Sequence, residues 1–367
     1  MSTAGQSQGA KASTGGGSAS HAETSVGAPL LHPRDVLLGA QAGGFQLPVC
    51  DHYSGVEARM RKSLQLQAEM AQEFGTCVFD VTLDCEDGAP VGGEAEHAAL
   101  VTELALATIA ARPDARVAVR VHPVDHPSFD ADMAFIAGRA GGVLSHIMVP
   151  KVETVADVDR AQAAVLQAGA TDFPLHVLIE SPAAVHRAFD IAAHPRVQSL
   201  SFGLMDFVSA HGGAIPSDGM AAQGQFTHPL VVRAKLEIAS ACHAHGKVPS
   251  HCVVTEFSDV QAMRQAALKA AREFGYTRMW SIHPAQIRPI LEAMAPTEAE
   301  IDRASQIILA AHAAQWAPIS HAGQLHDRAS YRFFWQVLER AHQTGRPLYP
   351  EIQLFFVPTG QTAGCVA

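Results

Sequence analysis

Residues Val78 to Pro90 read VFDVTLDCEDGAP, an apolar strand pattern that runs directly into Asp84, Glu86 and Asp87 and then into a turn. Carboxylates are poor strand formers and costly to bury unpaired, so a strand ending in three of them needs cations, hydrogen-bond donors or water close by. Taken alone, the segment reads equally well as a solvated strand-to-helix loop in which Asp87 or a neighbour caps the next helix. The rest of the chain decides between the two, because the arrangement recurs.

From about Phe45 onward, short β-like runs alternate with alanine-rich amphipathic segments, the pattern of parallel strands joined by helical crossovers. The strand candidates are Phe45 to Cys50, Cys77 to Asp84, Arg116 to His122, His146 to Lys151, Leu175 to Ser181, Ser199 to Asp206, Val248 to Val254 and Arg278 to His283. Helical segments between them include Val56 to Phe74, Glu94 to Ala111, Val155 to Ala168, Ala183 to Ala193, Pro229 to His245 and Asp259 to Phe274. Eight βα units over about 250 residues predict an α/β fold of the TIM (β/α)8 barrel type. No GxGxxG follows a strand, which disfavours a dinucleotide-binding fold.

Three regions are expected: a disordered arm over 1–29, rich in Ser, Gly, Ala and Thr; the barrel over 30–296; and a helical extension over 297–367. Thr297 to Gln315 and Arg328 to Thr344 read as helices, followed by an apolar Ile352 to Val357. Phe333, Phe334 and Trp335 on this extension are expected to be exposed and to need a covering surface, on a partner subunit or the barrel mouth.

Composition narrows the function classes. A hydrophobic fraction of 48% with 17% charged residues in 367 suits a well-packed globular protein. The net charge of -10, without a Lys/Arg-rich block, excludes the electrostatic footprint of a nucleic-acid partner. An anionic substrate must then be held by a few local cations. No apolar run approaches the roughly 18 residues of a membrane span, and the N-terminus lacks the charged-then-apolar order of a signal peptide, so a cytoplasmic protein is expected. Six cysteines without CxxC spacing read as buried thiols.

In a barrel built from these strands, the polar residues fall at one end of nearly every one. Strand two supplies Asp84, Glu86 and Asp87, strand three Arg120, strand four Lys151 and Glu153, strand five Glu180 and Ser181, strand six Asp206 and strand eight His283. All follow an apolar run in chain direction and lie at the C-terminal face, where barrel enzymes place their chemistry. Two carboxylates at one mouth, Glu180 and Asp206, attract a hard divalent cation such as magnesium; the plain alternative pairs each with Lys or Arg, and Lys151 is positioned for that. Arg120 offers a planar fork suited to a substrate carboxylate or a developing enolate oxygen, or equally to a salt bridge with Glu86 or Asp87.

The stretches DCEDGAP, VRVHP, VPKVET, LIES, GLMDF and SIHPAQI, in this order between about Leu47 and Thr297, resemble the citrate lyase β-subunit-like enzymes of the HpcH/HpaI aldolase superfamily. The resemblance implies a TIM-barrel lyase dependent on Mg2+, with Mn2+ as a substitute. Such an enzyme cleaves or forms carbon-carbon bonds in β-hydroxy acids, commonly as coenzyme A thioesters of the malyl, citramalyl or citryl type. It further implies that Glu180 and Asp206 are the metal ligands, that Arg120 is the catalytic, substrate-binding arginine, and that Glu86 and Asp87 position it. Lys151, Ser181 and His52 are expected to contribute to substrate binding. Assembly as a homotrimer or hexamer is implied as well, with the C-terminal segment reaching toward a neighbouring site.

Departures from the family pattern bear on substrate. The first strand reads FQLPVCDHYSG where an Arg-Ser pair and a Pro-Gly turn are usual, so Asp51, His52 and Tyr53 are expected at the mouth. Ser250 and His251 replace a frequent Asp-Gly, Arg278 and Met279 a frequent Gly-Lys, and His122 a common asparagine. The base that would remove the hydroxyl proton is left open between a metal-bound water, Asp51, His52 and a residue of an adjacent subunit. Asp84 reads as structural. Two other functions stay open: aldol cleavage of free hydroxy keto acids to pyruvate or oxaloacetate, and a catalytically weak ligand-binding accessory protein.

Overall fold

The structure, a computed structural model, describes residues 32–38, 47–170 and 174–356. The arm expected over 1–29, the start of the Phe45 to Cys50 run and the end of the apolar tail at Val357 lie outside the described residues.

Eight parallel strands close a barrel in sequence order: β1 (Cys50–Ser54), β2 (Phe79–Asp84), β3 (Val117–Arg120), β4 (Ile147–Val149), β5 (Leu175–Ile179), β6 (Val197–Phe202), β7 (Val248–His251) and β8 (Arg278–Ser281). Closure is made by β1, which pairs Cys50 with Phe79 on one side and with Met279 on the other. The strands are buried on both faces, as a barrel inside a ring of helices requires. Along β2, Phe79, Val81 and Leu83 pack toward the helices, while Asp80, Thr82 and Asp84 share the barrel interior with Arg278, Asp51 and Arg120. The β3–β4 connection, where no helix was anticipated, contains helical turns over Phe129–Asp132, Met133–Ala137 and Gly138–Ala140, the middle one a π-turn.

The barrel interior is layered by chemistry. At the bottom, Arg278 Nη2 lies 2.6 Å from Asp80 Oδ2 and 2.9 Å from Asp51 Oδ2, and its Nη1 donates to the Pro48 carbonyl at 2.6 Å. Arg116 Nε reaches Asp80 Oδ1 at 2.5 Å, and Thr82 Oγ1 donates to Asp51 Oδ1 at 2.7 Å. Burial raises the Asp51 carboxyl, with Arg278 opposing; Arg278 is held charged by Asp51 and Asp80 despite its own burial. Above this layer stand Tyr53, Met148, Leu178 and Trp280, and above them Asp84, Arg120 and Glu180 at the mouth. Asp51 therefore sits deep in the barrel, committed to Arg278 and Thr82, and not at the mouth where the sequence placed it. Replacing Arg278 with Ala would leave Asp51 and Asp80 short of their cation, an expected loss of about 3–5 kcal/mol. A urea unfolding midpoint equal to that of the unmodified protein would refute this reading of the layer.

The extension forms a small core of its own. Helices Glu298–Ala313 and Arg328–Gln343 pack with Pro33–Leu38 and Pro350–Gln353, burying Tyr331, Trp335, Leu338 and Ile352. A short antiparallel pair, β9 (Ile319–His321) and β10 (Gln324–His326), links the two long helices. Trp335 and Phe334, expected to be exposed, lie inside this core because they share a face of their helix with Tyr331 and Leu338; Phe333, on another face, is 62% exposed. Among the described residues, no helix is long and apolar enough to cross a membrane.

Candidate active site

Arg120 ends β3 beside Asp84, the last residue of β2, because the two strands run in register from Val81 opposite Val117. Its Nε lies 2.7 Å from Asp84 Oδ1 and its Nη2 2.5 Å from Asp84 Oδ2, a fork-to-fork pair, while Nη1 lies 3.0 Å from Glu86 Oε2. Asp84 also accepts the backbone N–H groups of Glu86 at 3.0 Å and Gly88 at 2.8 Å. Burial pushes the Asp84 carboxyl up, but Arg120 and these donors outweigh it and hold it below the ordinary aspartate range. A side chain at Gly88 would collide with Asp84 Oδ2, so the turn after the strand must be glycine for its N–H to come so close. Asp84 is thus the principal partner of Arg120, ahead of Glu86, a role the sequence had assigned to Glu86 and Asp87. Asp87 makes no contact with Arg120; it lies 3.6 Å from Lys151 Nζ.

Glu86 joins the two cations, taking Arg120 on Oε2 and Lys151 Nζ on Oε1. Lys151 adopts a left-handed backbone conformation, φ 53°, which is unfavourable for a lysine and concentrates at functional sites. That conformation aims its N–H at Glu180 Oε2, 2.7 Å away. Burial costs the ammonium some of its basicity, yet Glu86 and Asp87 raise it above the ordinary lysine range, so Lys151 is a fixed positive charge and not an amine nucleophile. No sequence pattern announced the strained backbone.

Glu180 follows β5 and is 6% exposed. Burial, with the negative charge of Asp206 adding to it and Arg120 opposing, raises its carboxyl to about 8. Gly203, after β6, leaves space that a side chain would take from Glu180 Oε1. Asp206 stands in the first turn of helix Leu204–Ser209, half-buried. Among the described residues, no Lys or Arg side chain forms an ion pair with either carboxylate. A pair of carboxylates at one mouth without an ion-paired Lys or Arg offers oxygen ligands alone and fits a hard divalent cation.

A second grouping, Asp51, His146 and His176, brings possible ligand atoms within 4.8 Å of one another in the lower barrel. Two of the three donors are nitrogens and Arg278 already occupies Asp51 Oδ2, so this set suits magnesium poorly beside Glu180 and Asp206.

The remaining expected site residues divide. His52 lines the cavity, but its ring lies on the helix-facing side of β1, with Nδ1 3.0 Å from Ser281 Oγ; burial lowers its pKa to about 4, with His283 adding to the effect. Ser181 Oγ accepts the Ala184 N–H and so caps helix Pro182–His186. His283 caps Pro284–Met294 in the same manner. The mouth opens into a cavity of about 730 Å3 walled by Arg120, Asp84, Tyr53 and Trp280, which runs outward to Arg59 and Lys62 on helix Glu57–Phe74.

Comparison with known proteins adds to this geometry. A profile of the HpcH/HpaI aldolase/citrate lyase family matches residues 64–284, more than half of the chain. The chain is 32% identical to a citrate lyase subunit beta-like protein of Deinococcus radiodurans, over 64% of this chain and 78% of that one. It is 30% identical to an L-malyl-CoA/beta-methylmalyl-CoA lyase of Rhodobacter capsulatus, over 59% of this chain and 73% of that one. A crystal structure of a citrate lyase from Burkholderia xenovorans LB400 superposes with a TM-score of 0.72 at 48% identity, covering 89% of this chain and all of that one.

Proposed function

The chain belongs to the HpcH/HpaI aldolase/citrate lyase family, and on that premise we propose that it is a magnesium-dependent carbon-carbon lyase cleaving, or forming, a β-hydroxy acid carried as a coenzyme A thioester. The observation that carries this reading is the meeting of a buried Glu180 and a half-buried Asp206 with the fixed guanidinium of Arg120 at one barrel mouth. Glu180 and Asp206 would hold Mg2+, or Mn2+ in its place. When bound, the ion supplies Lewis acidity toward substrate oxygens.

The chain's own residues do the rest. Asp84 and Glu86 fix the Arg120 fork, which receives the negative charge that grows as the carbon-carbon bond breaks; because that charge is larger in the transition state than in the substrate, the contact accelerates cleavage. Lys151, pinned by Glu86 and Asp87, adds a second positive charge at the rim. Arg59 and Lys62 at the outer end of the cavity suit the phosphates of a coenzyme A arm, which favours a thioester over a free acid. Assembly into a trimer or hexamer belongs to the same proposal, supported by Leu325, Phe333 and Leu354, each more than 60% exposed on the extension.

The test is a screen of malyl-, citramalyl- and citryl-CoA and their free acids, with and without magnesium, following the carbonyl product. Turnover of a thioester only with the metal is expected. Cleavage of free hydroxy keto acids alone would replace the proposal with the aldolase reading; saturable binding without turnover of any compound would replace it with the accessory-protein reading.

A further inference from the structure

Tyr53 and Trp280 stand next to each other on β1 and β8, rings stacked at 4.2 Å with an interplanar angle of 29°, and both line the cavity under Arg120. The Arg120 guanidinium lies 5.6 Å from the Tyr53 ring centre, so the pair shares the wall that presents this cation. Tyr53 is 6% and Trp280 7% exposed, yet neither the Tyr53 hydroxyl nor the Trp280 indole N–H has a hydrogen-bond partner. Their neighbours in the same layer, Met148 and Leu178, offer none. A buried donor left unmade is costly, and phenylalanine at position 53 would fill the layer without that cost. Two adjacent donors in this state point to an acceptor that arrives with the substrate.

The barrel order says which part of the substrate that is. Glu180 follows β5 and Asp206 follows β6, while Tyr53 stands on β1, across the closed barrel from β5, with Trp280 beside it on β8, at the end of the cavity that leads to Arg59 and Lys62. We propose that Tyr53 and Trp280 are specificity-determining residues that donate to a carbonyl oxygen of the acyl half of the substrate, the part carried by the thioester and away from the metal. This deepens the proposed function and rests on its assignment of Glu180 and Asp206 to the metal side. A site built to hydrogen-bond an oxygen rejects analogues that lack it far more strongly than a merely apolar pocket rejects a misfit. The selected class is therefore an acyl thioester whose carbonyl reaches the aromatic wall.

The two halves can be probed separately. Binding of pyruvate with Mg2+, for the metal side, and of acetyl-CoA, for the acyl side, is measured by titration calorimetry in the unmodified protein, Tyr53→Phe and Trp280→Phe, together with the melting temperature of each free protein. The expected result is acetyl-CoA binding weakened about 10-fold in each variant, pyruvate binding unchanged, and, for Tyr53→Phe, a melting temperature unchanged or raised. A merely structural role would instead lower the melting temperature of Tyr53→Phe and leave acetyl-CoA binding alone in both variants, and that result overturns the proposal. If Trp280→Phe is too unstable to titrate, Tyr53→Phe, which removes one oxygen atom, decides it by the same readings. Unchanged acetyl-CoA affinity in the variants alongside normal binding by the unmodified protein sinks this inference only. Binding of neither probe by the unmodified protein sinks the thioester lyase reading, and this inference with it.

Discussion

Replacing Arg120 with lysine is expected to lower kcat by roughly 1,000-fold while the protein stays folded. Lysine keeps the positive charge but offers a single ammonium where the structure uses a planar fork. Asp84 takes two of the Arg120 nitrogens and Glu86 the third, so both the direction and the distance of the charge from the substrate are set by guanidinium geometry. An ammonium at this position pairs with Asp84 or with the substrate, not with both in line. The loss should fall on kcat more than on KM, because the charge that Arg120 meets develops during cleavage. Asp84→Asn gives the complementary case: the shape stays, the fork loses its anionic partner, and the fall should be smaller but again in kcat. Full activity of Arg120→Lys with the substrate identified by the screen would remove Arg120 from the reaction.

Part of the fold and of this site is legible in the sequence, and part is not. The barrel could be read because its strands are buried on both faces and its crossovers are alanine-rich, so the alternation survives in one dimension; seven strand candidates overlap the observed strands well, and the first, Phe45 to Cys50, meets β1 only at Cys50. Polar residues at strand ends were equally visible, since carboxylates have no reason to follow an apolar run unless something answers them. Which carboxylate answers Arg120 was not visible. Asp84 and Arg120 are opposite one another only through the β2–β3 register, and register is a property of two strands together. Asp51 falls on the ionic floor for a related reason: β1 begins at Cys50 and pairs Asp51 with Asp80, and nothing local to DHYS says where the strand begins. The left-handed Lys151 and the unpartnered Tyr53 hydroxyl are conformational facts without any sequence pattern. Trp335 was judged exposed because its helix has no barrel face to cover, whereas a second small core gives it one.

Magnesium binding should be proton-linked, and Glu180 sets the pH range. With its carboxyl raised to about 8 by burial and by Asp206, the metal-free protein at pH 6.5 holds a proton on Glu180 that an arriving ion must displace. About one proton should therefore be released per ion at pH 6.5 and almost none at pH 9.5, measured by calorimetry in buffers of different ionisation enthalpy. The apparent affinity for magnesium should improve about 10-fold per pH unit below this range and level off above it. Stability carries the same sign. The folded-state pKa lies above the unfolded value of 4.5, so this group's contribution is fully present below about pH 4.5 and is lost as pH rises through about 8. Saturating magnesium should offset that loss in alkaline solution, because it binds the ionised form. Glu180→Gln should abolish both the proton release and magnesium-dependent turnover. Asp206→Asn should also abolish turnover, but for the proton it acts differently: removing the neighbouring negative charge lowers the Glu180 pKa, so any residual magnesium binding at pH 6.5 should release less than one proton. Stoichiometric magnesium binding in Glu180→Gln, with the pH dependence intact, would move the metal away from this pair of carboxylates and leave the high Glu180 pKa as a consequence of burial and of Asp206.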